Sequence, residues 1–165
     1  MTMTDNHNFQ RLQAEIFALS EAKNDWDAAR KEWALAHIEF VDEPETCLCG
    51  HHPIREVCTI KNHITQNSTE VGNVCVKRFL GIRSDLVFTA IKRIEKDKEK
   101  SLNTAAVEFF KEKGLLTDWE YDFLQSTLRK RSMSPKQMAV RQKINHKVLR
   151  EINRRGFQGN ANKIL

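Results

Sequence analysis

The stretch that most strongly constrains the fold reads Cys47-Leu48-Cys49-Gly50-His51-His52-Pro53. The remaining two of the chain's four cysteines, Cys58 and Cys75, follow close behind it. Gly50 marks one tight turn, and the segment Val71-Gly72-Asn73-Val74 before Cys75 predicts a second, because glycine and asparagine favour turn conformations. The cysteines are therefore expected to meet around two turns.

This grouping is typical of a structural metal site, because Zn²⁺ binds four ligands tetrahedrally and thiolate sulfur suits it well. The predicted zinc ligands are Cys47, Cys49, Cys58 and Cys75. The identity of the fourth ligand is undecided, because Cys58 lies in a strand-like run. The histidines that compete with Cys58 for this position are His51, His52 and His63, with His51 first among them.

Other roles of the four cysteines fit the sequence less well. Free cysteine often serves as a small buried hydrophobe, but four within one short segment beside two glycine turns favour a site. A disulfide framework is not expected, because no basic region followed by an apolar stretch opens the chain. A redox pair of Cys47 and Cys49 would leave Cys58 and Cys75 unexplained.

Length and composition indicate one compact, mainly α protein. The chain has 165 residues, of which 40% are hydrophobic and 30% charged, with six glycines and three prolines. The expected architecture is a long N-terminal helix, a small zinc-stabilised β-hairpin module and a C-terminal bundle of short helices. No apolar run approaches the roughly 20 residues of a membrane span, so a cytoplasmic protein without a membrane partner is expected.

The predicted regions follow changes in this pattern along the chain. They are a long amphipathic helix (1–44), a zinc-binding module (45–80), a helical basic region (81–156) and a flexible tail (157–165). The balance of acidic and basic residues also changes near the end of the predicted zinc-binding module. Residues 1–75 carry 6 Lys and Arg against 12 Asp and Glu, whereas residues 76–165 carry 21 against 10. This asymmetry favours an anionic partner for the second half, although attraction between the two halves would also explain it.

The N-terminal helix is predicted from Asn8 to Val41, with Pro44 ending it. Apolar residues recur there in alternating steps of three and four, which is a heptad-like pattern. They are Phe9, Leu12, Ile16, Leu19, Trp26, Trp33 and Phe40. Polar residues interrupt the stripe, so we expect the helix to pack along the rest of the protein. A coiled-coil homodimer is the alternative.

Short sequence patterns predict the strands and helices that follow. Two strands, at about Glu56–Lys61 and Glu70–Val76, predict a hairpin that metal would stabilise. Four helices are predicted after it, beginning near Ser84, Asn103, Thr117 and Ser134. The last two begin with capping boxes, in which Thr or Ser is followed three residues later by Glu or Gln.

The last helix, predicted from Pro135 to Arg155, carries a basic stripe. At 100° per residue, five cations fall on one side of it. They are Lys136, Lys143, Lys147, Arg150 and Arg154. Residues 128–155 hold ten Lys and Arg against the single acid Glu151, so the stripe predicts phosphate-backbone binding. Such a charge run is also typical of a merely solvated face.

Two segments resemble proteins of bacteriophages and mobile elements. The first comprises Cys47-Leu-Cys-Gly, Pro53-Ile-Arg, Cys58-Thr-Ile-Lys-Asn62, Val71-Gly-Asn-Val-Cys75 and Phe79. It is similar to a zinc-ribbon-like pattern in uncharacterised proteins of that group. The second, Leu124–Lys147, resembles segments of phage and bacterial proteins associated with DNA. Together they imply a setting in phage or mobile-element DNA metabolism.

No enzymatic motif is present. The chain has no Cys-x-x-Cys of the zinc deaminases, no phosphate-binding glycine loop and no helical His-Glu-x-x-His. We therefore predict a non-catalytic zinc protein that binds nucleic acid through its C-terminal helix. The alternative is a protein-binding adaptor or inhibitor, in which the N-terminal helix docks a partner through Trp26 and Trp33.

Overall fold

A computed structural model describes the backbone of Met3–Arg155 and the side chains of residues 6–152. The chain divides into two compact units, one formed by the residues up to Ile82 together with the last strand, and one spanning Arg83–Ile152. The predicted tail, 157–165, lies outside the described residues.

The first unit begins with two short helices instead of one long one. Helix α1 spans Met3–Leu19 and buries Leu12 and Ile16, and α2 spans Trp26–Lys31. The chain breaks between them because Asp25 caps α2, accepting a hydrogen bond from the Ala28 N–H at 3.2 Å. The predicted helix from Asn8 to Val41 is therefore wrong.

The residues after α2 form strand β1, Trp33–Glu45. Trp33 and Leu35 are buried while Ala34 and Ala36 are exposed, which is the alternation of a strand with one covered face. A register irregularity between Leu35 and His37 then shifts the pattern. The seven-residue spacing of Trp33 and Phe40 therefore arises within a bulged strand, not on one face of a helix.

Strands β2, Ile54–Asn62, and β3, Ser68–Val71, form the predicted antiparallel hairpin. β2 also pairs antiparallel with β1, and the three residues of β4, Asn153–Arg155, pair parallel to β1 at its other edge. The sheet order is β3-β2-β1-β4. The mainly α class is thus wrong. The fold is mixed α/β, and the hairpin belongs to a larger sheet instead of forming a separate zinc-stabilised module.

Helix α3, Asn73–Leu80, follows β3 directly, where the sequence predicted the strand to continue to Val76. Its Val76 and Phe79 are fully buried. The Phe79 ring lies 5.4 Å from the ring of Trp26 and 6.2 Å from that of Trp33. This aromatic cluster joins α2 and β1 to α3, so the position of α3 is tied to the core of the first unit.

The second unit is helical, as the sequence predicted. It contains α4 (Ser84–Lys96), α5 (Thr104–Glu112), α6 (Asp118–Thr127) and α7 (Pro135–Glu151). Both capping boxes are confirmed. Arg83, not Ser84, stands at the N-cap of α4. α7 ends four residues earlier than predicted, because the chain from Asn153 pairs with β1.

Candidate metal centre and basic surface

The segment Cys47–His51 closes on itself as a tight loop. The Gly50 N–H donates to the Cys47 carbonyl at 2.8 Å, and the Cys47 N–H donates to the His51 carbonyl at 2.8 Å. Gly50 has a φ of 93°, a backbone conformation that residues with a side chain rarely adopt. A Cβ added at Gly50 would also lie only 2.7 Å from Nη1 of Arg11. Glycine is therefore required for the loop, which buries both Cys47 and Cys49.

The third cysteine reaches the same place from the segment that follows the hairpin in the chain. Gly72 is the N-cap of α3, and Cys75 is the third residue of that helix. The Gly72 N–H donates to Cys47 Sγ at 3.3 Å. This contact ties the helix start to the loop, so Cys75 faces Cys47 and Cys49.

The sulfurs of Cys47, Cys49 and Cys75 form one buried cluster. All three Sγ atoms lie within 4.8 Å of one another, and Cys47 Sγ lies 3.5 Å from Cys75 Sγ. A tetrahedral zinc ion with Zn–S bonds of about 2.3 Å would hold its sulfurs about 3.8 Å apart. The cluster is thus compatible with such an ion, and the structure confirms that three of the four predicted ligands lie together.

The hydrogen bonds in the cluster favour one thiolate. The hydrogen bond between the Cys47 and Cys75 sulfurs lowers the pKa of Cys47 to about 5, and the Gly72 N–H adds to this effect against the cost of burial. The same hydrogen bond raises the pKa of Cys75, and burial raises that of Cys49. Because the thiolate is the form of cysteine that binds a metal, this lowered pKa favours cation binding at the cluster.

The structure does not bring Cys58 into this cluster. Cys58 is fully buried on β2, and its thiol donates to Oδ1 of Asn73 at 3.6 Å. Its Sγ is not within 4.8 Å of all three clustered sulfurs. Strand register, which linear spacing does not reveal, fixes this side chain opposite Ile38 and Val71.

The three histidines are placed differently. His51 donates its backbone N–H to Cys49 Sγ at 3.4 Å, and its exposed side chain lines the same cavity as the sulfurs. The exposed His52 ring lies 3.0 Å from Oγ1 of Thr46. His63 follows the far end of β2, roughly 25 Å from the loop at 3.3 Å per residue.

The cavity over the cluster has a volume of about 320 Å³. Its polar lining beyond the cysteines includes His51, Glu56 and Asn73, and Val74 lies at its edge with 68% of its surface exposed. Asn73 donates to Oε1 of Glu56 at 3.3 Å while accepting from the Cys58 thiol. Glu56 and Cys58 therefore support the wall of the cavity at Asn73.

The predicted basic stripe separates into distinct parts. Lys136, Lys143 and Arg150 are exposed along α7, and no acid of the described chain lies within ion-pair distance of them. Lys147 instead donates to Oε1 of Glu120 at 2.8 Å. Arg154 lies in β4, beyond the end of the helix, and its side chain is outside the described residues.

Sequence reasoning missed two buried polar residues on α7. Arg141 donates to the carbonyls of Glu99 and Thr127, and Asn145 donates to those of Lys98 and Lys100. They satisfy carbonyl groups in the loop between α4 and α5 and at the end of α6. The signal was present, because a helical wheel places both residues among the apolar side chains of α7.

Trp26 and Trp33, which the adaptor hypothesis assigned to partner binding, make their contacts within the first unit. Trp33 is buried and donates its Nε1–H to Oγ of Ser20 at 2.8 Å. The Trp26 ring contacts the rings of Phe9, Phe17 and Phe79. The described structure thus offers no long helix on which these two side chains form a common docking surface.

Searches of protein-family models, curated proteins and solved structures find no match to this chain. The resemblance to phage and mobile-element proteins therefore stays a prediction. Among the described helices, none is both long and apolar enough to cross a membrane.

Proposed function

We propose that this chain is a non-catalytic, zinc-containing nucleic-acid-binding protein. Zinc would bind in the first unit, at the cluster of Cys47, Cys49 and Cys75. The exposed cations along α7 would contact the phosphates of the nucleic acid. The observation that carries the metal proposal is the convergence of three buried sulfurs from two separate chain segments. Three closely spaced thiols with one acidified by its neighbours match the chemistry of a thiolate-rich zinc site.

His51 is the fourth ligand we propose in place of Cys58. Its backbone already contacts Cys49 Sγ, and its exposed side chain borders the cavity, so the imidazole can turn toward the ion without disturbing the core. Cys58 would instead have to leave Asn73 and a fully buried position on β2. A closed site with three cysteines and one histidine is a common structural zinc site.

The ion would fasten the Cys47–His51 loop to the first turn of α3. No coordination position would stay open for a substrate, so the role is structural. A setting in phage or mobile-element DNA metabolism is the context that the sequence resemblance implies.

Metal content of variant proteins tests the site. Protein purified without added metal is expected to contain one zinc ion per chain, and Cys47→Ser and Cys75→Ser are expected to abolish retention. Cys58→Ala should keep the metal. His51→Ala should weaken zinc retention, whereas the neighbouring His52→Ala, its matched control, should not. Zinc lost from Cys58→Ala but kept in His51→Ala would restore Cys58 as the fourth ligand, and wild-type protein without zinc would overturn the site.

The nucleic-acid proposal rests on the row formed by Lys136, Lys143 and Arg150. These cations repeat every seven residues, so they lie about 10 Å apart along one side of α7. Neutralising phosphates with such a row releases counterions, and binding should therefore weaken steeply with salt.

A salt titration of binding to labelled oligonucleotides tests this interface. Lys143→Glu combined with Arg150→Glu should lower affinity at least tenfold and flatten the salt dependence. The matched control is Lys31→Glu combined with Lys61→Glu, which also reverses two exposed charges, both in the first unit. Equal losses in both variants, or no binding by the wild type at 50 mM salt, would contradict the proposal.

A further inference from the structure

An exposed aromatic pair stands out on the second unit. Trp119 lies in the first turn of α6 with 62% of its surface exposed. Its ring stacks on that of Phe123, with centroids 5.5 Å apart and planes at 11°. Large exposed aromatic side chains are informative because burial is their usual state. Phe123 stacks on the indole, and most of the flat, apolar surface of Trp119 remains exposed to solvent.

This pair lies on the edge of α6 that borders α7. At 100° per residue, Trp119 and Phe123 fall beside Glu120 and Thr127 on the helical wheel. Glu120 pairs with Lys147, and the Thr127 carbonyl accepts from Arg141, so this side of α6 adjoins α7.

The opposite edge of α6 is occupied by α5. Tyr121 and Gln125 both bond to Oε1 of Glu108, at 2.6 and 2.9 Å. The aromatic pair thus lies on the side of α6 away from α5, beside the residues that contact the helix carrying the basic row.

The basic row lies on the side of α7 next to the residue that contacts α6. Lys136, Lys143 and Arg150 fall within about 40° of one direction, and Lys147 lies on their α6 side, where it meets Glu120. The aromatic pair and the row of cations therefore lie on adjoining sides of two helices within one unit.

We propose that this α6–α7 surface binds single-stranded nucleic acid. An unpaired base would stack on the exposed face of Trp119, and the phosphates on either side would contact Lys143 and its neighbours in the row. Single strands combine accessible base faces with a polyanionic backbone, and proteins bind them through aromatic platforms beside basic grooves. A duplex hides its base faces, so it could use only the cations. This inference rests on the proposed nucleic-acid binding and specifies its substrate.

Charge favours this occupant over a protein partner. Along α7 the exposed side chains between Lys136 and Arg150 include no carboxylate. A protein docking on the aromatic pair would have to supply its own row of acids, whereas a nucleic acid has one phosphate for every nucleotide.

Three probes of equal length separate the contributions of base and phosphate. They are a labelled oligothymidylate, the same backbone with abasic sites, and a duplex. Fluorescence anisotropy at 50 mM salt would give the affinity for each. Trp119→Ala should weaken oligothymidylate binding about five- to hundredfold, the effect of losing one base stack, and leave abasic and duplex binding nearly unchanged. Trp119→Phe should retain most of the affinity.

Lys143→Gln provides the comparison, because loss of a phosphate contact should weaken all three probes alike. Trp119 is mostly exposed, so its removal should leave the thermal transition in place, which circular dichroism would check. Oligothymidylate affinity unchanged in Trp119→Ala would overturn the inference and assign the pair to another partner. Equal losses on all three probes would also overturn it. Failure of the wild type to bind any probe would instead remove the proposed nucleic-acid function itself.

Discussion

Cys47 Sγ lies 3.5 Å from Cys75 Sγ, although the two residues stand 28 positions apart in the chain. The whole hairpin of β2 and β3 lies between them in sequence. Their approach therefore depends on the pairing of the strands and on the Gly72 N–H that holds Cys47. Because Cys75 belongs to the helix that carries Val76 and Phe79 into the core, a metal bound here would stabilise more than a surface loop.

Removing the metal is expected to loosen both segments that the cluster joins. Amide hydrogen exchange, followed by mass spectrometry with and without a zinc chelator, should become about tenfold faster or more in residues 46–53 and in α3. Helices α4–α7 form the other unit and should keep their protection. An equal acceleration in both units, or none in α3, would contradict this.

Arg141 is expected to contribute to stability, unlike its exposed neighbour Lys143. Arg141→Met removes two hydrogen bonds from carbonyls that become partly unsatisfied, at a cost of about 1–3 kcal/mol. Lys143→Met should change the free energy of unfolding by less than about 0.5 kcal/mol. Urea denaturation of both variants measures the difference, and equal midpoints would show that the Arg141 contacts contribute little.

The basic residues of α7 are also expected to divide by role. Lys147→Gln breaks the pair with Glu120, whose side chain is 17% exposed, and should lower stability by about 0.5–1 kcal/mol. Lys143→Gln should leave stability intact and reduce the salt dependence of nucleic-acid binding by about one unit of slope.

Thermal melts and salt titrations of these two proteins separate the roles. A larger binding loss in Lys147→Gln than in Lys143→Gln would show that the Glu120 pair does not withhold Lys147 from the ligand. If the pair does withhold Lys147, Glu120→Gln should strengthen binding slightly, because it releases Lys147.

The sequence predicted those features that depend on a few adjacent residues. Thr117 with Glu120, and Ser134 with Gln137, determine their helix starts within four positions, and both capping boxes form. The loop at Cys47 and Cys49 is equally local, because Gly50 closes it. These signals need no knowledge of the tertiary structure.

Several features that depend on distant pairing were not predicted. Trp33 and Phe40 fit a heptad as well as they fit a bulged strand, and only pairing with β2 selects the strand. Spacing along the sequence predicted both Cys58 and Cys75 as zinc ligands, but the strand register places Cys58 beside Asn73. The Asp25 cap and the alternation from Trp33 to Ala36 were the local signals that could have revealed the break in the helix.

Glu32 is the group from which we expect a distinct pH dependence in the first unit. Its buried carboxylate accepts hydrogen bonds from the N–H groups of Glu21 and Ala22 and from Nδ2 of Asn62, at 2.8 to 2.9 Å. Burial alone would raise the pKa of Glu32, but the bonds from Asn62 and the two backbone groups outweigh it and hold the pKa below its ordinary value. These bonds also close the turn between α1 and α2.

The sign of the effect follows from that direction. The unfolded chain takes up the proton at a higher pH than the folded chain, so the stabilisation is complete above about pH 5 and is lost as the pH falls through the folded pKa. Glu32→Gln removes this dependence, and its amide nitrogen would face a backbone N–H, which should cost about 1–3 kcal/mol at pH 7.

Urea denaturation of wild type and Glu32→Gln between pH 3 and 7 tests this, with the exposed Glu21→Gln as the control. The stability difference between wild type and Glu32→Gln should be largest at neutral pH and shrink below pH 4.5, while Glu21→Gln should follow the wild type throughout. Other carboxylates, including Glu120, titrate in all three proteins and cancel in the comparison. A difference that stays constant down to pH 3 would mean that the hydrogen bonds do not favour the ionised carboxylate, and the turn would then owe its stability to packing alone.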